Sequence, residues 1–322
     1  MNNHIYLIVN YEKSSSRHYH ITHIFDHLVS SQEQKYFFIE MAELVSHSSN
    51  LTDLNDFFIS KYKQIPKYII SFSGVGHFNP HYKILTQLTQ LVFIIDDIHH
   101  AKSVRTPRIP VIKNSAIIFG SYSYQFERWK LPKPQKLYFF PHSCRWICDF
   151  NPKPINKILI SGRISDAYPD RQFAHLYAKN NPQLFDILDC NVGYRIKASD
   201  VDNPLAIFGE KFYLYLNKYL CCFVDTIRDC IVAKIFEICG SGSLLLCMDT
   251  NVGNVMRELG FIPDVNYISC SRDNFEEKIN YITNVLNIDD INEIRKNGYE
   301  LVKNKHTWKE RMQFFTNIIE NN

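Results

Sequence analysis

Short apolar runs alternate with segments of helical periodicity along most of the chain, and this alternation limits the fold more than any other feature. The run Ile5–Val9 is followed by residues 21–29, in which apolar side chains recur at helical spacing. Runs that are apolar on both faces are typical of parallel strands that helices cover on both sides. The sequence therefore predicts a doubly wound α/β architecture.

The alternation stops at a proline-rich segment, residues 131–157, and then starts again. Further strands are predicted at residues 36–41, 67–72, 91–96, 116–119, 157–162, 219–225, 244–248 and 265–269. A length of 322 residues also favours two domains, since one domain has about 150 residues. We expect domains and connections with these bounds: an amino-terminal domain 1–145, a linker 146–156, a second domain 157–305, and a final helix 306–322 that crosses back to the first domain.

Helices are predicted at residues 51–62, from residue 171, and at 210–219, 231–239 and 254–259. Capping boxes predict two more helix starts, one at Asp273–Glu276 and one at Thr307–Glu310.

Composition narrows the class of protein. A formal net charge of +3 is small, so we expect no nucleic-acid partner. Nine cysteines without a C-x-x-C pair fit reduced, buried thiols better than a disulfide framework.

The amino terminus has an apolar run of only about five residues, too short for a signal peptide. We therefore expect a cytoplasmic protein, and the sequence has no motif of P-loop ATPases, serine hydrolases or zinc enzymes.

The loop 160–171 follows the opening strand of the second half. Gly162 would let a ligand approach the backbone, and Arg163 and Arg171 would neutralise a phosphate. The amino terminus of the next helix adds a positive field. We interpret the loop as a phosphate site; the alternative is a glycine turn with two solvated arginines.

A glutamate interrupts an otherwise apolar helix in the segment 225–243. Glu237 lies eight residues after Asp229, and two such acids differ by about 80° around a helix, so both can border one site. A carboxylate can accept hydrogen bonds from a ribose diol while Lys234 or Arg228 faces phosphates. The alternative is an ion pair of Glu237 with Lys234 on the helix surface, but the apolar neighbours of Glu237 favour a buried role.

Two loops of the first half could supply a catalytic base. Gly74 and Gly76 follow a strand and would let His77 project from the loop as a general base. Asp97, in the FIIDDIHH segment 93–100, is the second candidate. That segment could also bind a metal, although adjacent acids at a strand end are commonly helix caps and no further ligands are evident.

A basic region, Lys102–Lys136, carries eight basic residues against one acid, Glu127. It is either a solvated face or a dock for an anionic acceptor or a membrane surface.

Three motifs keep a fixed order in the second half: KILISGRISDAYPDR from Lys157, AKIFEICGSGSLLL from Ala233, and NKHTWKERM from Asn304. They resemble the opening loop, the F-E-x-x-x-x-G-x-L-L helix and the closing H-T-(Y/W)-x-x-R of glycosyltransferases of the GT-B architecture. The similarity is greatest to the group 1 enzymes related to spore-maturation proteins. It covers residues 157–319 and is weak before residue 140.

The resemblance implies two Rossmann-like doubly wound domains that face each other across a cleft, with a nucleotide-sugar donor bound mainly by the second. Glu237 would match the ribose-binding glutamate, and Asp229 the first acid of E-x7-E, where the family has glutamate. The loop Gly240-Ser241-Gly242 would pack on the donor. Arg163, Arg171 and Lys234 would offset the diphosphate charge, so we expect no metal and no cofactor.

The expected activity is sugar transfer from a nucleotide sugar to a glycan, protein or lipid acceptor. A first alternative is a catalytically inactive binding or scaffold protein of the same fold. A second is a metal-dependent transferase that uses Asp200 and Asp202 as a D-x-D site, although these acids do not follow an apolar strand.

Overall fold

A computed structural model describes residues 4–10, 27–30, 35–72, 75–96, 106–188, 207, 209–226 and 229–322. These residues form two compact units, Met1–Pro141 and His142–Asn322. No described helix is long and apolar enough to cross a bilayer.

The first unit is built on a six-stranded sheet whose neighbouring strands all pair in parallel. In chain order its strands are β1 Tyr6–Asn10, β2 Tyr36–Glu40, β3 Tyr68–Phe72, β4 Gln90–Ile95, β5 Ile117–Gly120 and β6 Lys136–Phe139. Its helices are α1 Met41–Ser46, α2 Leu51–Tyr62, α3 Tyr82–Leu88 and α4 Ile109–Lys113. The strand order is β2-β1-β3-β4-β5-β6, which requires crossover connections between parallel neighbours.

The second unit repeats this plan with five parallel strands in the order β11-β10-β9-β7-β8. Its strands are β7 Ile155–Ser161, β8 Phe185–Leu188, β9 Tyr219–Asp225, β10 Leu244–Met248 and β11 Ile268–Cys270. Its helices are α5 Pro169–Asn180, α6 Glu210–Leu216, α7 Ala233–Gly240, α8 Gly253–Glu258, α9 Phe275–Asn280, α10 Ile288–Lys305 and α11 Trp308–Asn321, with a π-helical turn at Tyr281–Val285. The two parallel sheets confirm the predicted α/β fold.

Alternate residues of the central strands enter two separate hydrophobic clusters of the second unit. Cys222 and Val224 of β9 pack with Phe236 of α7, whereas Cys221 and Phe223 belong to the cluster that contains α5 and α9. Successive side chains of a strand point to opposite faces, so both faces of this sheet are covered. This explains why its central strands are apolar throughout.

Some predicted elements differ from the structure. The helix predicted at residues 210–219 ends at Leu216, because Tyr219 starts β9. Strands β6 and β8 were not predicted. β6 lies at a sheet edge directly after the proline-rich residues, a position where neighbouring prolines cost little.

The two capping boxes have different outcomes. Thr307 is the N-cap of α11 and accepts a hydrogen bond from the backbone of Glu310 at 3.4 Å, as predicted. Asp273 is not a cap, because α9 starts at Phe275. The side chain of Asn274 accepts from the backbone of Ser271 instead, so it closes the turn before the helix.

The segment predicted as a linker, 146–156, packs on the second unit. Cys148 is buried and donates its backbone N–H to the carbonyl of Gly240 at 3.1 Å. The carbonyl of Asn151 accepts from the buried guanidinium of Arg295 at 2.9 Å. The division between the units therefore lies at Pro141/His142, earlier than the predicted bounds.

Candidate functional site

The carboxyl edge of the second sheet brings three strand ends together. β7, β9 and β10 are neighbours, and they end at Ser161, Asp225 and Met248. Open parallel sheets bind ligands beyond this edge, where the loops to the following helices start. The predicted residues of the second unit come from these loops and from α7.

Gly162 lies directly after β7 with a φ of +109°, a conformation that residues with a side chain rarely adopt. A Cβ atom added there would lie 2.7 Å from Nζ of Lys234 and 2.9 Å from Nη1 of Arg171. Lys234 also donates to the carbonyl of Ser161 at 2.6 Å. Two cationic groups therefore converge on bare backbone, an arrangement suited to an anion that approaches the chain closely.

Arg171 has a more structural setting than the sequence predicted. Its Nε and Nη2 donate to Oδ1 of Asp225 at 2.8 and 2.5 Å, and its Nη1 donates to the carbonyl of Arg163 at 3.1 Å. Its guanidinium also lies over the ring of Tyr168, 4.1 Å from the centroid. Both charged side chains of the pair are buried. Asp225 therefore balances the charge of Arg171, and the pair holds the loop 160–171 in place. The side chain of Arg163, in contrast, is exposed.

Glu237 lies in the second turn of α7 and is buried, with 8% of its surface exposed. Its Oε2 atom has no hydrogen-bond partner among the described residues. Burial raises the pKa of Glu237 to about 7, although the nearby Lys234 acts in the opposite direction. A buried carboxylate without donors is costly, and hydroxyl groups of a ligand would relieve that cost.

Asp229 is half-buried and has a φ of +61°. Asp adopts this left-handed conformation more readily than most residues, because its short side chain can bond locally. The left-handed backbone thus favours Asp over Glu at this position. Asp229 precedes α7, which starts at Ala233, so the predicted 80° relation to Glu237 on one helix does not apply. Arg228 lies outside the described residues.

The loop Gly240-Ser241-Gly242 packs on the chain itself. A Cβ at Gly240 would lie 2.1 Å from Sγ of Cys144. Gly242 has a φ of +82°, and the backbone bonds from Gly242 to Cys239 and from Ser243 to Ile238 form a Schellman motif that ends α7. The hydroxyl of Ser241 donates to Ile238 at 2.7 Å. These contacts explain both glycines without a ligand.

In the first unit, His77 is exposed in the 3₁₀ turn Val75–Phe78. Asp97 lies outside the described residues, as do Gly74 and the pair Asp200 and Asp202. Within the part of the chain that the structure describes, no group of His, Cys, Asp or Glu side chains could hold a metal ion.

Two buried acids at this edge were not predicted. Asp225 pairs with Arg171, and Asp249, directly after β10, accepts from the hydroxyls of Tyr267 at 2.6 Å and Ser269 at 2.5 Å. Burial, followed by the bond to Asp249, raises the pKa of Tyr267. The available signal was an acid directly at the end of an apolar strand, a position where side chains reach the ligand edge of the sheet.

The model of the family described as "Glycosyl transferase-like" matches residues 197–317. A search of curated protein sequences gives no significant match.

Solved structures resemble nearly the whole chain. Sucrose-phosphate synthase from Thermosynechococcus elongatus has a TM-score of 0.62 at 10% identity, with coverage of 99% of this chain and 98% of the other. A glycosyltransferase from Rickettsia africae has a TM-score of 0.61 at 12% identity, with both chains covered in full. HepE from Anabaena, in complex with UDP-glucose, has a TM-score of 0.61 at 11% identity, with 98% and 99% covered.

Other relatives are longer. The chain spans 60% of the matched chain in the GtfA/B complex, at a TM-score of 0.54, 12% identity and 84% coverage of this chain. Across these comparisons the likeness lies in the fold, because the identities are low. The chain therefore carries a glycosyl transferase-like segment at residues 197–317 and has the fold of the GT-B glycosyltransferases, which confirms the resemblance expected from its three motifs.

Proposed function

We propose that the chain is a glycosyltransferase that binds a nucleoside diphosphate sugar on its second unit and transfers the sugar to a glycan, protein or lipid acceptor. The observation that carries the proposal is the buried carboxylate of Glu237, whose Oε2 has no partner among the described residues, together with the cationic groups at Gly162. A ribose diol supplies two hydroxyl donors, and a diphosphate supplies the matching negative charge.

The two ends of the site have different chemistry. Lys234 lies one helical turn before Glu237, and its ammonium reaches back to the end of β7. Residues of one helix, α7, would therefore bind both an anion at Gly162 and a hydroxyl donor at Glu237. A nucleotide has this combination of groups, and HepE from Anabaena, which has the same fold, has been solved with UDP-glucose. A UDP-sugar is thus the first donor to test.

Acceptor binding is assigned to the first unit. His77 or Asp97 remains our proposed base for a reaction that inverts the anomeric centre. The exposed basic residues Arg128, Lys130, Lys133 and Lys136 support a dock for an anionic acceptor or membrane surface. Lys102 and Arg105, of the same predicted region, lie outside the described residues.

The test is a thermal-shift screen of nucleotide sugars with the full chain, because a ligand at 100 times its Kd adds about 2.7 kcal/mol of stability. We expect at least one UDP-sugar to raise Tm. In Glu237→Gln the shift should shrink as affinity falls roughly 10- to 100-fold, since charge-assisted hydrogen bonds contribute about 1.5–3 kcal/mol. The control Glu258→Gln removes an exposed carboxylate from α8 and should keep the full shift. Equal shifts in all three proteins would remove Glu237 from the site.

Turnover separates the proposal from its alternatives. A nucleotide sugar that stabilises the protein but is never consumed, with glycan, protein or lipid acceptors present, would favour the inactive binding protein. Activity that is lost in chelator and restored by a divalent metal would favour the D-x-D alternative at Asp200 and Asp202. We expect turnover that a chelator leaves unchanged.

A further inference from the structure

We propose that His306 and Arg311 are positioning residues for the donor site: they hold residues 142–148, here called the cover segment, over the part of α7 that carries Glu237. This inference rests on the proposed function, because that function assigns Glu237 to the donor. It gives a role to the closing H-T-W-x-x-R motif, which the proposed chemistry does not use.

The first step is a rigid pair of side chains. Arg311 is buried, and its Nη2 lies 2.7 Å from Nδ1 of His306. A guanidinium only donates, so Nδ1 accepts and Nε2 carries the ring proton, which it donates to the carbonyl of Leu259 at 2.7 Å. Burial and then the charge of Arg311 lower the pKa of His306 to about 4. The ring is therefore neutral, in one tautomer, near pH 7.

The second step connects this pair to the cover segment. Arg311 donates from Nη2 to the carbonyl of His142 at 3.4 Å. The backbone of Cys144 donates to the carbonyl of His306 at 2.8 Å and accepts from Trp308 at 3.0 Å, so it pairs with the chain on both sides of Thr307. The start of α11 and the cover segment thus form one hydrogen-bonded unit.

The third step places the cover segment on α7. The thiol of Cys144 fills the space beside Gly240, where an added Cβ would lie 2.1 Å from Sγ. Cys148 donates its backbone N–H to the carbonyl of Gly240 at 3.1 Å. Glu237 lies three residues before Gly240, on the same side of the helix. Burial, and after it the charge of Glu237, raise the pKa of the Cys144 thiol.

These contacts let the motif act on Glu237 from a distance. Among the described residues, the titratable groups whose charge interacts with Glu237 are Lys234 on its own helix and Cys144 on the cover segment. If His306 or Arg311 releases the segment, water reaches the carboxylate and competes with the donor for it. The pKa of Glu237 then falls toward its ordinary range, since burial causes its rise. Donor affinity falls too, because a preorganised group binds more tightly than a hydrated one.

The experiment measures the pKa of the Glu237 carboxylate directly by NMR, in the absence of a nucleotide sugar. The full chain is labelled with ¹³C at glutamate Cδ, and the Glu237 resonance is assigned by its loss in Glu237→Gln. We expect an apparent pKa of about 7 in the parent protein and a fall of at least one unit in Arg311→Met. Arg311→Lys, which keeps one donor to His306, should give an intermediate value, and His306→Gln a value near that of Arg311→Met.

A control variant that is destabilised elsewhere in the unit tests whether a loss of stability alone changes the pKa of Glu237. Phe185→Leu opens the core on the opposite face of the sheet, away from the cover segment, and should leave the pKa of Glu237 unchanged. An unchanged pKa in both Arg311→Lys and His306→Gln would overturn the proposal, and these milder variants decide it if Arg311→Met does not fold. A fall of equal size in Phe185→Leu would also overturn it.

The donor provides the second readout. With the nucleotide sugar found by screening, we expect KM to rise roughly 10-fold in Arg311→Lys while kcat changes less than 2-fold; a loss confined to kcat would contradict a positioning role at Glu237. If the pKa falls as expected but no nucleotide sugar binds the parent protein, the proposed function fails and the positioning of the carboxylate stands.

Discussion

Glu237 combines two properties that suit a ligand-binding acid: it is buried, and its Oε2 has no hydrogen-bond donor in the part of the chain that the structure describes. The same properties make it costly for the free protein, because an ionised carboxylate without donors is poorly solvated. Residues of this kind commonly mark functional sites, where stability is lower than it could be.

This cost predicts an unusual pH dependence. The folded-state pKa of Glu237, about 7, lies above that of the unfolded chain, so the folded protein holds the proton more tightly. The contribution of Glu237 is therefore most favourable below the unfolded pKa and is lost as pH rises to about 7, by about 3 kcal/mol in full. In denaturation curves without ligand, the stability of Glu237→Gln relative to the parent should therefore increase steadily from pH 5 to pH 8. A constant difference between the two proteins across this range would contradict the raised pKa.

Arg171 and Asp225 predict a second effect at the residue scale. Arg171→Met leaves the carboxylate of Asp225 buried without its partner, so we expect a loss of about 3–5 kcal/mol in the free energy of unfolding. Replacing both residues, in Arg171→Met with Asp225→Leu, should cost less than the single change. The control Arg272→Met breaks the more exposed pair with Asp170, for which about 1 kcal/mol or less is expected. Urea denaturation of the four proteins measures these differences.

At the element scale, α7 carries residues of the proposed donor site and also packs against the cover segment. Its Lys234 reaches the end of β7, the charge of its Glu237 acts on the Cys144 thiol, and its last residue, Gly240, contacts Cys144. The N-cap residue Val232 makes no side-chain cap hydrogen bond, whereas the left-handed Gly242 closes the Schellman motif at the carboxyl end. Packing on both sides and this carboxyl-terminal cap therefore set the position of the helix.

The contact between α7 and the cover segment predicts a specific rescue. Gly240→Ala places a methyl group against Sγ of Cys144, so the segment must move, and we expect a clear loss of stability and of donor affinity. Cys144→Ala removes that sulfur and should restore part of both in the double variant. A double-mutant cycle by denaturation and donor titration measures the coupling, for which a favourable term above about 0.5 kcal/mol is expected. Additive effects would show that the two residues do not compete for space.

At the scale of the whole molecule, the division between the two units has consequences for fragments of the chain. The second unit, His142–Asn322, contains a complete sheet with a core on each face. The cover segment and the residues after it supply buried groups to that core, among them Cys144 and Cys148.

We therefore expect the fragment 142–322 to unfold cooperatively on heating. The fragment 157–322, which starts at the predicted domain boundary, should be less stable or fail to fold, because it lacks the first two residues of β7 and the buried cover segment. Calorimetry of the two fragments makes the comparison. Equal stability would show that residues 142–156 do not stabilise this unit, as expected of the predicted linker 146–156.

Much of the architecture was predictable because its signals are local. Buried parallel strands must be apolar on both faces, so β9 and β10 were found with their observed bounds. Helix α2 was likewise found in full, since the signals for it lie within one segment of the chain. β8 was missed, as its four residues carry an aspartate and lie at a sheet edge, where the apolar pattern is weak.

By itself the sequence determined the α/β class, the motif order and the presence of an acid in an apolar helix, because spacing along one element decides each of these. Only the tertiary structure decided which charged and polar side chains contact each other. Arg171 is paired with Asp225, 54 residues away, and the closing motif at His306 and Arg311 is docked on residues 142–144. Such contacts depend on how separate elements pack, and burial in that packing, rather than residue type, gives Glu237 its raised pKa.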